Sequence, residues 1–280
     1  MDTTMSSSAF LSALRDRTMR LSGELDAIGM PDGIVAYNPL AYAWAAHARY
    51  LDLFAGPRRI VIAGMNPGPW GMVQTGVPFG NVEHARVVLD IRDEPVWRDL
   101  VRQPRRTLDD RPVQGFSCQR DEVSGRRFWS GLAPLWARDM DDDQQDAEDA
   151  ARDQQRFRTA LRRMLGECFV MNLCPLAFFD AVNGSGAAPN VTPDKLPQPW
   201  RDRLVGDGSP CATYFADMLR LFRPEVVVVM GAWVEKQVMR WAGSAVRVFR
   251  IPHPSPANPA SNKGWAGLVQ AALREGGVVK

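Results

Sequence analysis

Four short apolar runs, each closed by a turn, constrain the fold of this chain more than any other feature. They are Arg59 to Met65, Cys168 to Met171, Val226 to Met230 and Val246 to Ile251. Runs this short, bounded by turn residues, read as strands buried on both faces. The last alternates, Val246-Arg247-Val248-Phe249-Arg250-Ile251, and predicts an edge strand with one wetter face. Helical patterns separate and follow the runs at 83–102, 147–165, 210–222, 231–242 and 261–275. Strand and helix in alternation predict an α/β fold, a parallel sheet with helices on both faces. Ahead of the sheet, Phe10, Leu14, Leu21, Leu25 and Ile28 stand at helical spacing after a Ser-rich start that can cap. Residues 38–55 make a second, more apolar helical stretch, and both stretches predict helices packed on the rest. No internal repeat is visible.

Composition narrows the class. The 280 residues suit one large domain or two small ones, and 45% apolar residues are too many for a disordered chain. Thirty-four Lys and Arg against 32 Asp and Glu leave a net charge of +2, which excludes a globally basic binder but not a local basic face. No apolar run reaches the ~18 residues of a membrane span, and the polar start does not read as a signal peptide. Cys118, Cys168, Cys174 and Cys211 lack Cys-x-x-Cys spacing, which argues against a zinc or iron–sulfur site and against a disulfide framework. The expectation is a soluble intracellular protein. Residues 139–149 carry seven acids and no base, and read as a solvated loop and helix start. Such a patch repels phosphate, so a nucleic-acid face lies elsewhere. Residues 183–199 read as an ordered surface loop.

In an open parallel sheet, ligands bind beyond the carboxyl ends of the strands. The first strand is followed by Gly64-Met65-Asn66-Pro67-Gly68-Pro69-Trp70-Gly71-Met72, the second by Asn172-Leu173-Cys174-Pro175, and the fourth by Pro252-His253-Pro254-Ser255-Pro256-Ala257-Asn258-Pro259. Two carboxamides and an imidazole thus point to one rim. The first turn lacks the Gly-Lys-Ser/Thr ending of a phosphate cradle. These parts suit a planar heterocycle: Asn pairs with a base edge, Phe79 can stack on its face, and His can donate where charge develops. Each residue also has a plainer reading. Asn66 can cap a turn, Asn172 can satisfy backbone, Phe79 can belong to the core, and His253 can sit on the surface. His47 and His84 read as structural.

The run Gly64 to Gly80 resembles the signature loop of the single-strand-selective monofunctional uracil-DNA glycosylases. His253-Pro254-Ser255-Pro256 with Asn258-Pro259, followed by Ala260 to Trp265, resembles that family's second signature. Asn172-Leu173-Cys174-Pro175-Leu176 resembles its base-reading segment. Arg111 to Gly115, Glu122-Val123-Ser124-Gly125 and Phe128-Trp129 also fit. The likeness runs from about Arg59 to the C-terminal helix.

The resemblance implies a three-layer α/β/α fold of the uracil-DNA glycosylase type with a four-stranded parallel sheet. It implies a single domain over 1–280, with helices in 7–55 packed on an α/β core over 56–280. The implied activity is hydrolysis of the N-glycosidic bond of uracil, and of 5-substituted uracils such as 5-hydroxymethyluracil, in single- and double-stranded DNA. Neither metal nor redox cofactor is expected, the strand is left intact, and the protein is expected to be a monomer. The implied compartment is cytoplasmic, at the nucleoid in a bacterium, or nuclear in a eukaryote. Carried over by residue, Asn66 positions the water and His253 stabilises the uracil anion at O2. Asn172 reads O4 and N3, Phe79 stacks, Met65 adds backbone contacts, and Gly68 leaves room near C5.

DNA contact is expected from Ser255, Pro256, Ala257, Asn258 and Lys263, from residues 71–75, and from Arg102, Arg105, Arg106 and Arg111. One departure stands out: Ala257 occupies the place where the family's second signature has Arg. An alanine is too short to fill the gap a flipped base leaves, unless Asn258 or Lys263 substitutes. The expectation is a stronger preference for single-stranded or mismatched uracil than the family norm. Trp70 for the more usual Phe is expected to alter packing only. The rival readings are a related glycosylase for mismatched thymine, hypoxanthine or xanthine, a non-catalytic DNA lesion binder, and an unrelated small-molecule domain.

Overall fold

The computed structural model describes residues 5–91, 97–137, 149–182, 187–244 and 246–279. Its strands there are β1 (Ile34–Tyr37), β2 (Ile60–Gly64), β3 (Cys168–Asn172), β4 (Ala177–Asp180), β5 (Asn190–Val191), β6 (Val226–Met230) and β7 (Arg247–Ile251). The four runs anticipated from the sequence are β2, β3, β6 and β7. They pair in the order β3-β2-β6-β7, all parallel. β2, β3 and β6 are buried along their whole length, as their unbroken apolar runs require.

The two edges are protected differently. β7 exposes Arg247 and Arg250, and charges on an edge discourage further pairing. β3 is apolar, and the Tyr50 hydroxyl covers its outer side. That hydroxyl donates to the Val170 carbonyl at 2.6 Å and accepts from the Val170 N–H at 3.2 Å. Each buried backbone group left unpaired costs about 1–3 kcal/mol, so one phenol replaces a missing strand at this point.

The chain runs from β2 outward to β3, then crosses back to β6 on the other side of β2. The strand order therefore reverses between β2 and β6. Loops leaving the carboxyl ends there part and leave a crevice.

The N-terminal helix Ser7–Asp26 forms where expected, and the Ser6 side chain accepts from the Ala9 N–H. It packs on the helix Pro210–Phe222: Phe10 meets Phe222 edge-on at 5.3 Å, Thr18 bonds Tyr214, and Arg20 bonds the buried Asp217 at 2.7 Å. Phe222 in turn stacks on Phe169 of β3 at 4.2 Å, which ties this layer to the sheet. Among the described residues, no helix is long and apolar enough to cross a membrane.

Several expected elements differ. Residues 38–55 hold two short helices, Pro39–Tyr42 and Trp44–Leu51, broken at Ala43, and β1 precedes them. Of the helix expected over 83–102, the described residues show Val82–Val88 and further helix at 97–98. Asp90 takes a left-handed conformation (φ 50°), and the Ile91 N–H closes back on the Arg86 carbonyl at 2.9 Å, a local geometry that ends a helix. Its continuation through 92–96 lies outside the described residues.

The helix expected at 147–165 spans Asp149–Glu167. Most of the acidic stretch before it also lies outside them. The loop expected over 183–199 contains β5 and the start of the helix Gln198–Val205, with 183–186 outside the described residues. The last helix begins at Trp265, after a short 3-10 turn at Pro259–Asn262. A second, antiparallel sheet β1-β4-β5 was not anticipated. It anchors the segment that follows β3.

Candidate active site

The cavity forms because two loops stay zipped past the ends of their strands. Beyond β2 and β3 the Leu173 N–H donates to the Gly64 carbonyl (2.9 Å) and the Cys174 N–H to the Met65 carbonyl (3.0 Å). Asn66 and Asn172 are thereby held on one rim. Met65, Asn66, Gly68, Phe79, Asn172, His253 and Ser255 all line one cavity of about 280 Å³. That is near the lower end of small-molecule pockets and suits one small planar ring. A larger open groove of about 1210 Å³, lined in part by Arg86, Arg120, Arg126 and Arg158, shares none of these residues.

Asn66 donates through Nδ2 to the carbonyls of Pro67 and Leu176, both at a long 3.4 Å. Among the described residues no hydrogen bond uses its Oδ1, so an acceptor is left for a water. Asn172 is buried at the end of β3, and its Nδ2 donates to the Met72 sulfur at 3.2 Å. A thioether is a weak acceptor that a base carbonyl can displace.

His253 follows β7. Its Nδ1 accepts from the Ser255 N–H at 3.1 Å, so a neutral ring carries its proton on Nε2. Burial disfavours the imidazolium and pushes the pKa down to about 4. The ring therefore stays neutral at physiological pH and is a donor rather than a cation. Its carbonyl accepts from Asn258 Nδ2 (3.1 Å) and from the Ser261 hydroxyl, which fixes the loop from behind. Arg127 braces the same loop through the Pro254 carbonyl (3.2 Å) and Asn262 (3.1 Å).

Phe79 sits 6.2 Å from the His253 ring and stacks on Phe128 at 4.5 Å with 17° between planes. Its backbone is left-handed (φ 53°), and its carbonyl accepts from Trp129 Nε1 and from the Asn81 N–H, both at 3.1 Å. Phe79 is thus a pocket wall backed by core rather than a core residue alone.

The two other histidines do structural work. His47 Nδ1 pairs with the Gly76 carbonyl at 2.7 Å, and His84 Nδ1 with Asn81 Oδ1 at 2.8 Å.

The DNA-facing expectations divide. Pro256, Ala257 and Lys263 are exposed beyond Ser255, outside the cavity lining. Asn258 is engaged within the loop: its amide donates to the His253 carbonyl and its Oδ1 caps the Ala260 N–H at 3.2 Å. Residues 71–75 are buried, with Gln74 bonded to the Pro69 and Pro112 carbonyls and to the Gln114 N–H, and Gly71 and Met72 of this segment line the cavity. Arg111 donates to the Ala188 carbonyl, while Arg102, Arg105 and Arg106 are exposed. Trp70 is half-buried with the Arg120 guanidinium 4.1 Å above its ring and that of Arg111 at 5.5 Å. The cavity also contains Met72, Glu122 and Ser124, which lie in segments that carry the family resemblance but were assigned no role from the sequence.

A family model described as the Uracil DNA glycosylase superfamily matches residues 52–273. The chain is 35% identical over 269 residues to a rat protein named single-strand selective monofunctional uracil-DNA glycosylase, covering 94% of this chain and 84% of that one. Mouse and bovine proteins of that name match at 35% identity, covering 84% and 85% of their lengths. A crystal structure of Pedobacter heparinus SMUG2 superposes with a TM-score of 0.59 at 16% identity, over 94% of this chain and 97% of that one, and attests the fold. With a matching family model over most of its length and relatives this similar, the chain belongs to the uracil DNA glycosylase superfamily.

Proposed function

We propose that this protein is a monofunctional uracil-DNA glycosylase, acting as a single domain and a monomer on uracil and 5-substituted uracils in DNA. The base flips out of its stack into the 280 Å³ cavity. The bond from C1′ to N1 breaks and its electron pair stays on the uracil ring. Positive charge grows on the sugar and negative charge on O2. His253 donates its Nε2 proton as a hydrogen bond to that oxygen. Asn172 pairs with the O4 and N3 edge, where a cytosine presents the wrong donors and acceptors. Phe79 stacks on the ring, and Asn66 holds through Oδ1 the water that attacks C1′; the proton that water gives up passes to solvent, from which the departed uracil anion regains one. An amide cannot take a proton as a carboxylate can. Catalysis therefore leans on water placement and leaving-group stabilisation, each worth roughly 10²–10³.

The observation that carries this reading is the neutral imidazole of His253, oriented by the Ser255 N–H and sharing one small cavity with two carboxamides. A surface or core histidine needs neither that orientation nor those neighbours. The test is base release from a single-stranded oligonucleotide carrying one uracil, read by alkaline cleavage of the abasic site. The wild type should release uracil, and Asn66→Ala and His253→Ala should each slow release at least ~100-fold. A folded wild type that releases no uracil would overturn the proposal.

A further inference from the structure

Which ring nitrogen of His253 carries the proton is set by the Ser255 N–H, which donates to Nδ1 at 3.1 Å. That N–H is one end of the peptide unit between Pro254 and Ser255. The other end of the same unit is the Pro254 carbonyl. Pro254 is buried, and its carbonyl accepts from Arg127 Nη1 at 3.2 Å. One planar unit therefore links a guanidinium to the imidazole. The second arm of the guanidinium, Nη2, donates to Asn262 Oδ1 at 3.1 Å, and Asn262 Nδ2 donates to the Pro256 carbonyl at 2.9 Å. Arg127 thus grips the turn on both sides of Ser255.

Under the reading above, on which this rests, His253 donates through Nε2 to O2 of the departing uracil. We propose that Arg127 is a positioning residue for that step: by holding the Pro254 carbonyl it keeps the Ser255 N–H on Nδ1, and so keeps the proton of the neutral ring on Nε2.

The two competing states of the ring both need this peptide to turn over. A neutral ring with its proton on Nδ1, and an imidazolium, each present an N–H where the Ser255 N–H now stands. Either is served only when the plane rotates and offers the Pro254 carbonyl instead. The rings of Pro254 and Pro256 fix φ at their own positions, which leaves the plane between Pro254 and Ser255 as a soft joint of the turn. Arg127 pins that plane by its oxygen. Its charge also draws electron density toward the oxygen and strengthens the N–H donor at the other end. Asn258 and Ser261 hold the His253 carbonyl, which belongs to the preceding peptide, and do not restrain this one.

The charged groups on the surrounding elements are placed otherwise. Glu122 on the cavity wall accepts from the Trp70 N–H at 3.3 Å, and Arg126 pairs with Asp121 at 2.9 Å. Arg250 of β7 pairs with Glu235 at 3.0 Å, and Lys263 is exposed at the far end of the loop. Burial lowers the imidazole pKa, and the pinned peptide acts in the same direction by denying an imidazolium its acceptor.

The test uses the full-length protein with Arg127→Met, Arg127→Gln and Arg127→Lys, each checked for folding by circular dichroism. Single-turnover release of uracil from a single-stranded oligonucleotide is measured at saturation. Long-range proton–nitrogen NMR reads both ring nitrogens of His253 in the free protein. The wild type should show a protonated Nε2 and a bare Nδ1. Arg127→Met and Arg127→Gln should release uracil at least ~10-fold more slowly at saturation, show both nitrogens partly protonated, and titrate His253 about one pH unit higher. Arg127→Lys keeps a charged donor and should stay within about threefold of the wild type. Either neutral variant that folds decides the point. The proposal would be overturned by a wild type with its proton on Nδ1, by a neutral variant with the wild-type saturated rate, or by one slowed with unaltered nitrogen signals. No uracil release by the wild type sinks the parent reading. Release by the wild type, with rates and nitrogen signals unmoved in the neutral variants, sinks this one alone.

Discussion

Phe79 adopts a backbone conformation that few aromatic residues take, at a cost of about 1–2 kcal/mol. The cost is met by two hydrogen bonds to its carbonyl and by the stack on Phe128. Such over-determination is expected where a ring must present one face to a ligand. Gly64 shows how tightly it is set. A Cβ there would lie 2.8 Å from Phe79 Cε2 and 2.8 Å from Asn172 Oδ1. Gly64→Ala should therefore displace both pocket walls, lowering kcat/KM on uracil by ~100-fold for a stability loss of about 1–3 kcal/mol. Gly166→Ala is the control, since a Cβ there meets nothing within 4 Å and the site is helical. It should keep full activity and gain up to ~1 kcal/mol in a urea melt. Equal activity losses in the two variants would show that Gly64 has no special role.

Asn66, Asn172 and His253 were legible in the sequence because a strand end fixes where the next residue points. The inward course of Glu122 was not, although Glu122-Val123-Ser124-Gly125 fits the family, because an acid beside Asp121 also looks like a solvated helix start. Only the close approach of Gly68 and Gly71 reveals its direction.

Among elements, the segment His253–Lys263 has two parts with different duties. Asn258 and Ser261 clamp the His253 carbonyl, and Asn262 holds the Pro256 carbonyl at 2.9 Å. The clamp leaves Pro256 and Ala257 as an exposed tip. A short tip offers little to fill a duplex after the base leaves. Ala257→Arg should raise uracil release from a U·A duplex by roughly tenfold relative to the single strand, the size of one added charged hydrogen bond. Parallel single-turnover assays on the two substrates measure it, and an unchanged duplex-to-single-strand ratio would remove the tip from the flipping step.

The four parallel strands were readable because each is a buried apolar run with turn residues behind it. β1, β4 and β5 were not readable. They span four, four and two residues, too short for a period to emerge, and β1 owes its strand to pairing with β4 rather than to its own pattern. The break in the helical stretch after Val82 escaped the pattern for a related reason. An apolar pattern continues past Leu89, but the left-handed Asp90 ends the helix, and nothing in the pattern records that turn.

At the scale of the molecule, burial of imidazoles makes stability and activity respond differently to acid. His47 and His253 both have pKa values pushed down to about 4, and burial lowers His84 as well. An unfolded histidine titrates near ~6.5. Between about 6.5 and 4 the unfolded chain therefore binds more protons than the folded one, so stability is lost as pH falls through that window. Each fully titrating imidazole contributes a slope of about 1.4 kcal/mol per pH unit. Glu122 works the other way. Its folded pKa is raised, so its contribution is present at low pH and lost as pH rises, but it is one group against three. The urea midpoint should fall between pH 7 and pH 5, and His47→Gln should flatten the slope, because His47 is not among the residues lining that cavity and its ring pairs with the Gly76 carbonyl. Uracil release at a temperature where the protein stays folded should be level over the same window, because His253 is already neutral throughout it. A release rate that drops with a midpoint near ~6.5, in protein still folded by circular dichroism, would mean that the imidazole titrates normally in the cavity. The donor to the leaving uracil would then be lost on protonation rather than held ready, and the neutral-imidazole mechanism would have to be abandoned.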